Sequence, residues 1–412
     1  MTRVIPTIKR AAGAGESWDT LSRREFLARV AIGTSAAALG CLDNGAPEPV
    51  LPESSGLEHV IIVTMENRSF DHLLGWLPGA DGKQAGLIYT DSAGTPLATH
   101  HLTDFQGCGF ADPSHSFEGG RVEYNSGACD GWLRAELSDA YAIGYYAAAD
   151  LAFLGRAAPE WTVLDRYFAP FLGPTGPNRM ILQAGQTDRL DNNGGFSTLP
   201  TIWDRLAAAG LTGKNYGYPI VTASMFGDRY ASLIQPITSF FTDAATGDLP
   251  HVAYVDPDFE HAFTDSYHPH ADIQRGEAFL ASIYQAVTTS PAWRSTLLVV
   301  TFDEWGGFFD HVPPPPAPIP PGEYAAGNLD GLRGFRVPTL LMSPFARRRH
   351  VSSAVYDHTS LLRLIEWRWG LSPLSARDAQ ANNLADELDF AHPETNVPAI
   401  AIPTGPFGGR CP

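Results

Sequence analysis

Two apolar segments of seven residues constrain this chain more than any other feature of its sequence. Residues 59–65 (HVIIVTM) and 296–302 (TLLVVTF) are continuously apolar rather than alternating. Such runs are typical of strands that are buried on both faces of a parallel sheet. A third segment, residues 337–343 (VPTLLMS), has the same character. Strands of this kind need helices on both sides to cover them.

Helical patterns separate these segments along the chain. Apolar residues at three- and four-residue spacing predict helices at residues 202–210, 275–287 and 359–370. The alternation predicts an α/β fold with a central, mostly parallel sheet flanked by helices. We expect a single catalytic domain over residues 57–390, after a linker at 42–56 that is rich in Pro, Gly, Ser and Glu, and before a tail at 391–412.

Acidic and amide side chains follow both of the first two predicted strands. Glu66-Asn67 comes directly after one, and Asp303-Glu304 directly after the other. Ligands bind α/β sheets outside the carboxyl ends of the strands, and such oxygen donors suit a divalent cation. Each acid could instead cap a following helix. Two such pairs at equivalent strand ends favour metal ligands, because like charges crowded there without a cation would raise one another's pKa.

A loop rich in Pro and Gly, residues 173–179 (GPTGPNR), precedes a predicted helix at 180–185. It would place Thr175 near a helix N-terminus, where N–H groups and the helix dipole favour a phosphate. Metal coordination would lower the pKa of its hydroxyl and make Thr175 a nucleophile; an ordinary N-cap threonine is the alternative. Arg179 offers bidentate pairing to phosphate oxygens, or else it braces the acidic strand ends.

Histidines are the candidate proton donors for a leaving alkoxide near neutral pH. We place His268, in SYHPHAD, first and His115, in ADPSHSFEGG, second. A single histidine is more often a structural hydrogen-bonding residue than a catalyst, so each of these assignments has that alternative.

The charge of the chain excludes some partners. Its formal net charge is −17, which disfavours nucleic acids and strongly anionic membranes. A zwitterionic or small anionic substrate that is drawn to a local metal ion remains compatible with this charge.

The first residues have the order of an export signal. Paired Arg23 and Arg24 precede an apolar run at residues 30–40, which is too short to span a bilayer. This pattern predicts a twin-arginine signal over residues 1–41, use of the twin-arginine export machinery, and a periplasmic or secreted protein without a transmembrane segment in the mature chain. An amphipathic helix is one alternative. Lipid anchoring at Cys41 is another, although the residues before Cys41 fit a lipoprotein box poorly.

The remaining cysteines fit an oxidising compartment. Cys108 and Cys129 lie in the same loop-rich stretch and are predicted to form a disulfide. No C-x-x-C spacing suggests a zinc ribbon or a redox pair.

Six motifs resemble the bacterial phosphoesterase family, which includes phospholipases C and an acid phosphatase of the same fold. The motifs are EHVIIVTMENRSFDHLLGWLPG, DPSHSFEGG, DRYFAPFLGPTGPNR, SYHPHAD, TFDEWGGFFDHVPPP, and GFRVPTLLMSPFARR followed by YDHTSLLRLIEWRWG. The resemblance covers residues 58–371 in the expected order. It implies an alkaline-phosphatase-like fold in which a metal-activated Ser or Thr forms a phospho-enzyme intermediate.

The same resemblance implies roles for individual residues. Thr175 would attack phosphorus, and His115 and His268 would contact phosphate or transfer protons. Glu66, Asn67, Asp303 and Glu304 would bind the metal, and His358 matches a histidine of a family motif. The residue patterns add Thr175 as a further metal ligand, and the predicted substrate-binding residues are Asn178, Arg179 and His358. The metal would be Ca²⁺, Mg²⁺, Mn²⁺, iron or zinc. Two departures from the family pattern, Gly176 where tryptophan is common and Trp305 where histidine is common, bear on pocket shape and substrate specificity.

These observations lead to one main hypothesis and two alternatives. The chain would be an exported, metal-dependent phosphoesterase that acts through a phospho-threonine, with phospholipids such as phosphatidylcholine as preferred substrates. The first alternative is a phosphomonoesterase of the acid phosphatase type. The second, from another class, is a non-enzymatic protein that binds a phosphorylated ligand.

Overall fold

The computed structural model describes residues 51–260, residues 264–409 and Cys411. The predicted signal, with Arg23, Arg24 and Cys41, lies outside these residues, as does most of the predicted linker. All described residues belong to one unit, Val50–Pro412. No helix in the described ranges has both the length and the apolar character that a membrane crossing requires.

A mostly parallel sheet forms the centre of this unit. The strands are β1 (His59–Met65), β2 (Ile88–Thr90), β3 (Pro96–Ala98), β4 (His100–His101), β5 (Gly144–Tyr145), β6 (Thr162–Leu164), β7 (Tyr167–Phe168), β8 (Gly213–Gly217), β9 (Ile234–Pro236), β10 (Val252–Val255), β11 (Thr296–Phe302), β12 (Leu340–Met342), β13 (His350–Ser352) and β14 (Tyr356–Asp357). Eight of them form the main sheet in the order β13-β6-β12-β11-β1-β10-β8-β9. Only the two pairings of β12 in this sheet are antiparallel.

The first two predicted strands are confirmed residue for residue as β1 and β11. Every residue of β11 is buried, and in β1 only His59 is partly exposed. The third prediction, residues 337–343, is confirmed only over β12. Pro338 lacks the N–H that a strand ladder needs, and an apolar run does not encode the direction in which its strand will pair.

Helices cover this sheet, as the alternating pattern predicted. They are α1 (Phe70–Leu74), α2 (Phe117–Tyr124), α3 (Leu154–Ala157), α4 (Thr175–Ala184), α5 (Ile202–Ala208), α6 (Ile237–Thr246), α7 (Ile273–Thr288), α8 (Pro321–Ala326), α9 (His358–Trp369) and α10 (Ala376–Gln380). Short 3₁₀ segments lie at Pro52–Ser54, Asn125–Gly127, Ala140–Ile143, Ala148–Asp150, Thr222–Leu233, Trp293–Ser295 and Leu384–Glu387. Among their contacts, α7 packs on β11, and α9 packs on α4.

The predicted helices exist with shifted ends. Helices α5, α7 and α9 correspond to the three predicted amphipathic segments. Helix α4 begins at Thr175, five residues before the predicted start at 180. Pro177 lies in its first turn, where the missing N–H of proline costs no hydrogen bond. Thr175 therefore belongs to the helix itself, and the loop before it ends at Pro174.

Candidate active site

The register of the central strands brings the acidic residues to one place. Met65 of β1 pairs with Phe302 of β11, so Glu66 and Asp303 leave the sheet side by side. The backbone N–H of Asn67 donates to Asp303 Oδ1 at 3.1 Å. Asn67 adopts a left-handed backbone conformation with φ 60°, which asparagine tolerates better than most residues.

Thr175 lies beside Asn67 at the first position of α4. Its hydroxyl oxygen is 3.5 Å from Asn67 Oδ1, and its side chain is partly exposed while the rest of α4 is buried. The orientation of the Asn67 amide is fixed from the other side, because its Nδ2 lies 3.2 Å from His115 Nε2. The amide oxygen of Asn67 therefore faces Thr175.

Asn178 holds the loop that presents Thr175. Its Oδ1 accepts the N–H of Phe171 at 3.0 Å, and its Nδ2 donates to the carbonyls of Gly173 at 2.8 Å and Pro174 at 3.0 Å. The residue is fully buried. The oxygen and nitrogen of the Asn178 side-chain amide are thus both engaged with the backbone of this loop.

Arg179 braces the acidic strand ends from behind. Its Nε donates to Asp303 Oδ2 at 2.9 Å, and one NH group donates to Asp256 Oδ1 at 3.0 Å. Its other NH group donates to the carbonyls of Thr64 at 3.1 Å and Met65 at 3.2 Å, at the end of β1. Only 3% of Arg179 is exposed. The sequence analysis did not single out Asp256. Its place directly after β10 could have identified it as a residue of the site.

His115 and His268 face one another, with ring centroids 5.9 Å apart and planes at 80°. His115 Nδ1 lies 2.8 Å from the carbonyl of Pro113 and therefore carries the proton. Its Nε2 is then the acceptor for the Asn67 amide. Burial lowers the pKa of His115, although the charge of Asp112 acts in the opposite direction. His115 is thus a neutral, oriented group near pH 7.

His358 lies behind the site and not at its surface. Its Nε2 is 3.0 Å from the backbone carbonyl of Asp303, and its Nδ1 is 3.1 Å from the hydroxyl of Tyr167. Burial lowers the pKa of His358 to about 4. A neutral His358 therefore donates to the Asp303 carbonyl and fixes the end of β11.

Burial and mutual crowding disfavour the ionised forms of two carboxyl groups of the site. Burial raises the pKa of Glu66, and burial together with the charge of Asp303 raises the pKa of Glu304 well above its usual range. Glu304 Oε2 accepts the N–H of Gly306 at 2.6 Å, but its buried Oε1 has no hydrogen-bond partner within the described part of the chain. Glycine is needed at 306, because a Cβ there would lie 2.2 Å from the Asn67 carbonyl. An orphaned carboxylate oxygen among like charges fits a divalent cation.

Asp112 joins the two histidines, and the sequence analysis missed it. One ligand atom each from Asp112, His115 and His268 lies within 4.8 Å of the others. Its position three residues before His115 in the same motif was the available signal. The described residues include another such group of Asp71, Asp310 and His311. There Arg336 donates to Asp71 at 3.0 Å and to Asp310 at 2.9 Å, so a guanidinium already balances that charge.

A cavity of about 350 Å³ lies against this site. His115 and Pro174 are among its lining residues. Its other lining residues include four carboxylates and no lysine or arginine: Asp112, Glu118, Glu136 and Asp191.

The two departures from the family pattern have structural explanations. Gly176 N donates to Asn192 Oδ1 at 2.7 Å, and a Cβ at position 176 would lie 2.8 Å from that oxygen. The loop that contains Asn192 thus occupies the space that a larger side chain would need. Trp305 is fully buried, and its indole N–H donates to Glu123 at 2.7 Å. It belongs to a second hydrophobic cluster and not to the polar site.

The predicted disulfide is wrong. Cys108 is bonded to Cys411, with a Cα–Cα distance of 5.3 Å, and Cys129 is a free, buried thiol. Nearness in sequence misled the prediction, because the true partners are 303 residues apart. Burial raises the pKa of Cys129 to about 12, which makes this thiol unreactive.

A sequence model of the Phosphoesterase family matches residues 57–226 and 222–372. Phospholipase C B of Mycobacterium tuberculosis is 29% identical over an alignment 466 residues long. The alignment covers 92% of this chain and 88% of that protein. Non-specific phospholipase C6 of Arabidopsis thaliana is 29% identical over 398 residues, covering 86% of this chain and 76% of that protein. Among solved structures, a protein in the alkaline phosphatase superfamily from Vibrio parahaemolyticus matches 80% of this chain and 72% of its own, with a TM-score of 0.40 and 12% identity.

Proposed function

The chain belongs to the phosphoesterase family and is a phosphoric ester hydrolase, and on that basis we propose that it is a phospholipase C acting on phospholipid diesters such as phosphatidylcholine. Relatives that match most of its length carry the name phospholipase C. The observation that carries the proposal is the position of the Thr175 hydroxyl. It lies 3.5 Å from Asn67 Oδ1 at the first position of α4, and the N–H of Asn67 donates to the buried Asp303 carboxylate.

Thr175 is the proposed nucleophile. Its deprotonated oxygen attacks phosphorus and forms a phospho-threonine that still carries the head group as an ester, while the diacylglycerol oxygen leaves and takes up a proton. The dipole of α4 favours the phosphate that is bound at this end of the helix. Water then hydrolyses the phospho-threonine and regenerates the hydroxyl. Asn178 supports these steps by holding the loop.

A divalent cation is part of the proposal. Glu66, Asn67, Asp303, Glu304 and Thr175 would hold it. When bound, it would lower the pKa of the Thr175 hydroxyl and offset charge on the phosphate oxygens. Arg179 keeps Asp303 in place, and the unpartnered oxygen of Glu304 is the structural support for this donor set.

Proton transfer is assigned to His268, with His115 in an orienting role. His268 Nδ1 lies 3.0 Å from the carbonyl of Pro269, which leaves Nε2 to give a proton to the leaving alkoxide and later to take one from water. The hydrogen bond that His115 Nδ1 donates to the Pro113 carbonyl fixes the tautomer of His115, and His115 in turn fixes the amide of Asn67.

Export is the proposed route of this protein to the periplasm or the medium. The twin-arginine pattern at Arg23 and Arg24 supports this route. The disulfide between Cys108 and Cys411 supports it independently, because such bonds persist mainly in oxidising compartments.

One comparison of rates tests the proposed substrate class. Initial rates on p-nitrophenyl phosphorylcholine and p-nitrophenyl phosphate would be measured side by side with divalent metal in excess. We expect the choline diester to be the better substrate. Faster turnover of the monoester would replace the proposal with an acid-phosphatase-type phosphomonoesterase, and tight binding of either compound without turnover would favour the phospho-ligand-binding alternative.

A further inference from the structure

An extended segment connects the end of the described chain to the active-site loops. Residues 398–409 and Cys411, here called the strap, contain no helix or strand. The hydroxyl of Tyr284 donates to the Pro398 carbonyl at 2.8 Å, and Ile400 is buried in the main hydrophobic cluster. From there the strap reaches two loops: residues 104–116, which carry His115, and residues 266–272, which carry His268.

The strap is attached covalently to the His115 loop. Cys411 forms its disulfide with Cys108, seven residues before His115. The side chain of Gln106 also donates to the Gly409 carbonyl. The approach is close, since a Cβ at Gly408 would lie 2.1 Å from Gln106 Oε1.

The same end of the strap is attached to the His268 loop by hydrogen bonds. The N–H of Cys411 donates to the His270 carbonyl at 3.2 Å. The N–H of Gly408 donates to Asp272 Oδ2 at 2.6 Å. Cys411 thus bonds covalently to one histidine loop and through its backbone to the other.

The His268 loop needs such support, because its backbone is strained on both sides of the histidine. Tyr267 has φ 75° and His270 has φ 76°, values that non-glycine residues keep only when their surroundings fix them. His270 is fixed through its carbonyl by Cys411 and through its ring, whose Nε2 lies 3.0 Å from the Phe110 carbonyl of the His115 loop. Release of the strap would remove the hydrogen bond from Cys411 to the His270 carbonyl. It would also loosen the His115 loop, whose Phe110 carbonyl holds the His270 ring.

We propose that the strap, closed by Cys108–Cys411, is a positioning element that sets the placement of His268 relative to His115 for the reaction. The inference rests on the proposed roles of these two histidines in phosphate-ester hydrolysis. The strap residues do not touch substrate in this scheme. They act by fixing the position of the His268 loop relative to the His115 loop.

Kinetics of single-cysteine variants provide the first test. Cys108→Ser and Cys411→Ser would be assayed with p-nitrophenyl phosphorylcholine and saturating divalent metal, beside Cys129→Ala as the matched control. We expect kcat to fall about 10- to 100-fold in the first two, with KM within about twofold of the wild-type value, and no change in the control. A disulfide that only stabilises the fold would lower the thermal midpoint but leave kcat intact at 20 °C, and that result would overturn the proposal.

Hydrogen–deuterium exchange on the folded wild-type protein provides a second test that does not depend on activity or on the folding of a variant. Cys108 is exposed, so dithiothreitol can reach the bond, becoming a cyclic disulfide as Cys108 and Cys411 become thiols. We expect faster exchange in both histidine loops and no change in β1 or β11. Unchanged exchange in the His268 loop would refute the positioning role. If the wild-type enzyme hydrolysed no phosphate ester, the proposed function would fail, and the exchange result would still decide whether the strap holds the loops.

Discussion

Replacement of Arg179 by methionine distinguishes the two roles that its sequence position allowed, phosphate binding and bracing. The guanidinium forms buried ion pairs with Asp303 and Asp256, and the arginine and aspartate side chains are at most 4% exposed. Methionine retains most of the apolar length but removes the charge. Two carboxylates and two strand-end carbonyls then each lose one of their hydrogen-bond donors.

The expected cost follows from this burial. Removing one partner of a buried ion pair destabilises a protein by about 3–5 kcal/mol. Unfolding entropy of about 2.1 cal/mol/K per residue gives roughly 0.75 kcal/mol/K for a domain of about 360 residues. The thermal midpoint of Arg179→Met should therefore fall by about 4–7 °C.

Thermal unfolding followed by circular dichroism measures this shift, with Arg349→Met as the control. Arg349 pairs with Glu160 at 3.0 Å, but their side chains are 73% and 37% exposed. Exposed pairs contribute about 0–1 kcal/mol, so the control midpoint should move by about 1 °C or less. If Arg179→Met also unfolded within about 1 °C of the wild type while its KM for the substrate rose, the bracing role would be wrong and Arg179 would be a phosphate ligand.

Three further predictions concern single residues of the site. Thr175→Val, which keeps the shape of the side chain, should lower kcat by about 10⁴-fold or more with little change in stability; an activity above a tenth of the wild-type value would contradict the nucleophile assignment. In the metal-free protein, burial raises the pKa of Glu304 above its ordinary value of 4.5, so the ionised carboxylate opposes folding. Stability in the presence of a chelator should therefore fall as pH rises above about 4.5. In urea titrations, Glu304→Gln should show a smaller fall, and added divalent metal should stabilise the wild type but not this variant. Burial lowers the pKa of His358 from 6.5 to about 4, so the unfolded chain takes up its proton first and stability should drop by about 3 kcal/mol as pH falls from 7 to 4. A His358→Gln variant should lose less stability over that range, and equal losses in urea titrations of both proteins would refute the assignment.

The site was predictable where its residues follow directly from local patterns. The two continuous apolar runs identified β1 and β11, and the residues after them were Glu66-Asn67 and Asp303-Glu304. The Pro- and Gly-rich loop placed Thr175 near a helix start. Asp112 and Asp256 were missed, because each is a common residue in a loop or at a strand end. Their importance comes from residues distant in sequence that the fold brings to them, His268 for Asp112 and Arg179 for Asp256.

Contacts between distant residues were decided by the tertiary structure alone. Cys108 pairs with Cys411 across 303 residues rather than with nearby Cys129. Arg179 turns toward Asp303 and Asp256 instead of standing open to a substrate. The strand register, which sets Met65 against Phe302, also depends on how the whole sheet assembles.

The sequence by itself determined the class of fold, the strands that end at the site and the family to which the chain belongs. These properties follow from the periodicity of apolar residues and from short motifs, and both are local. The tertiary structure decided which charges balance one another, which histidine lies behind the site and which loop is closed by the disulfide. Such choices depend on distances between residues far apart in the chain, which a residue pattern does not contain.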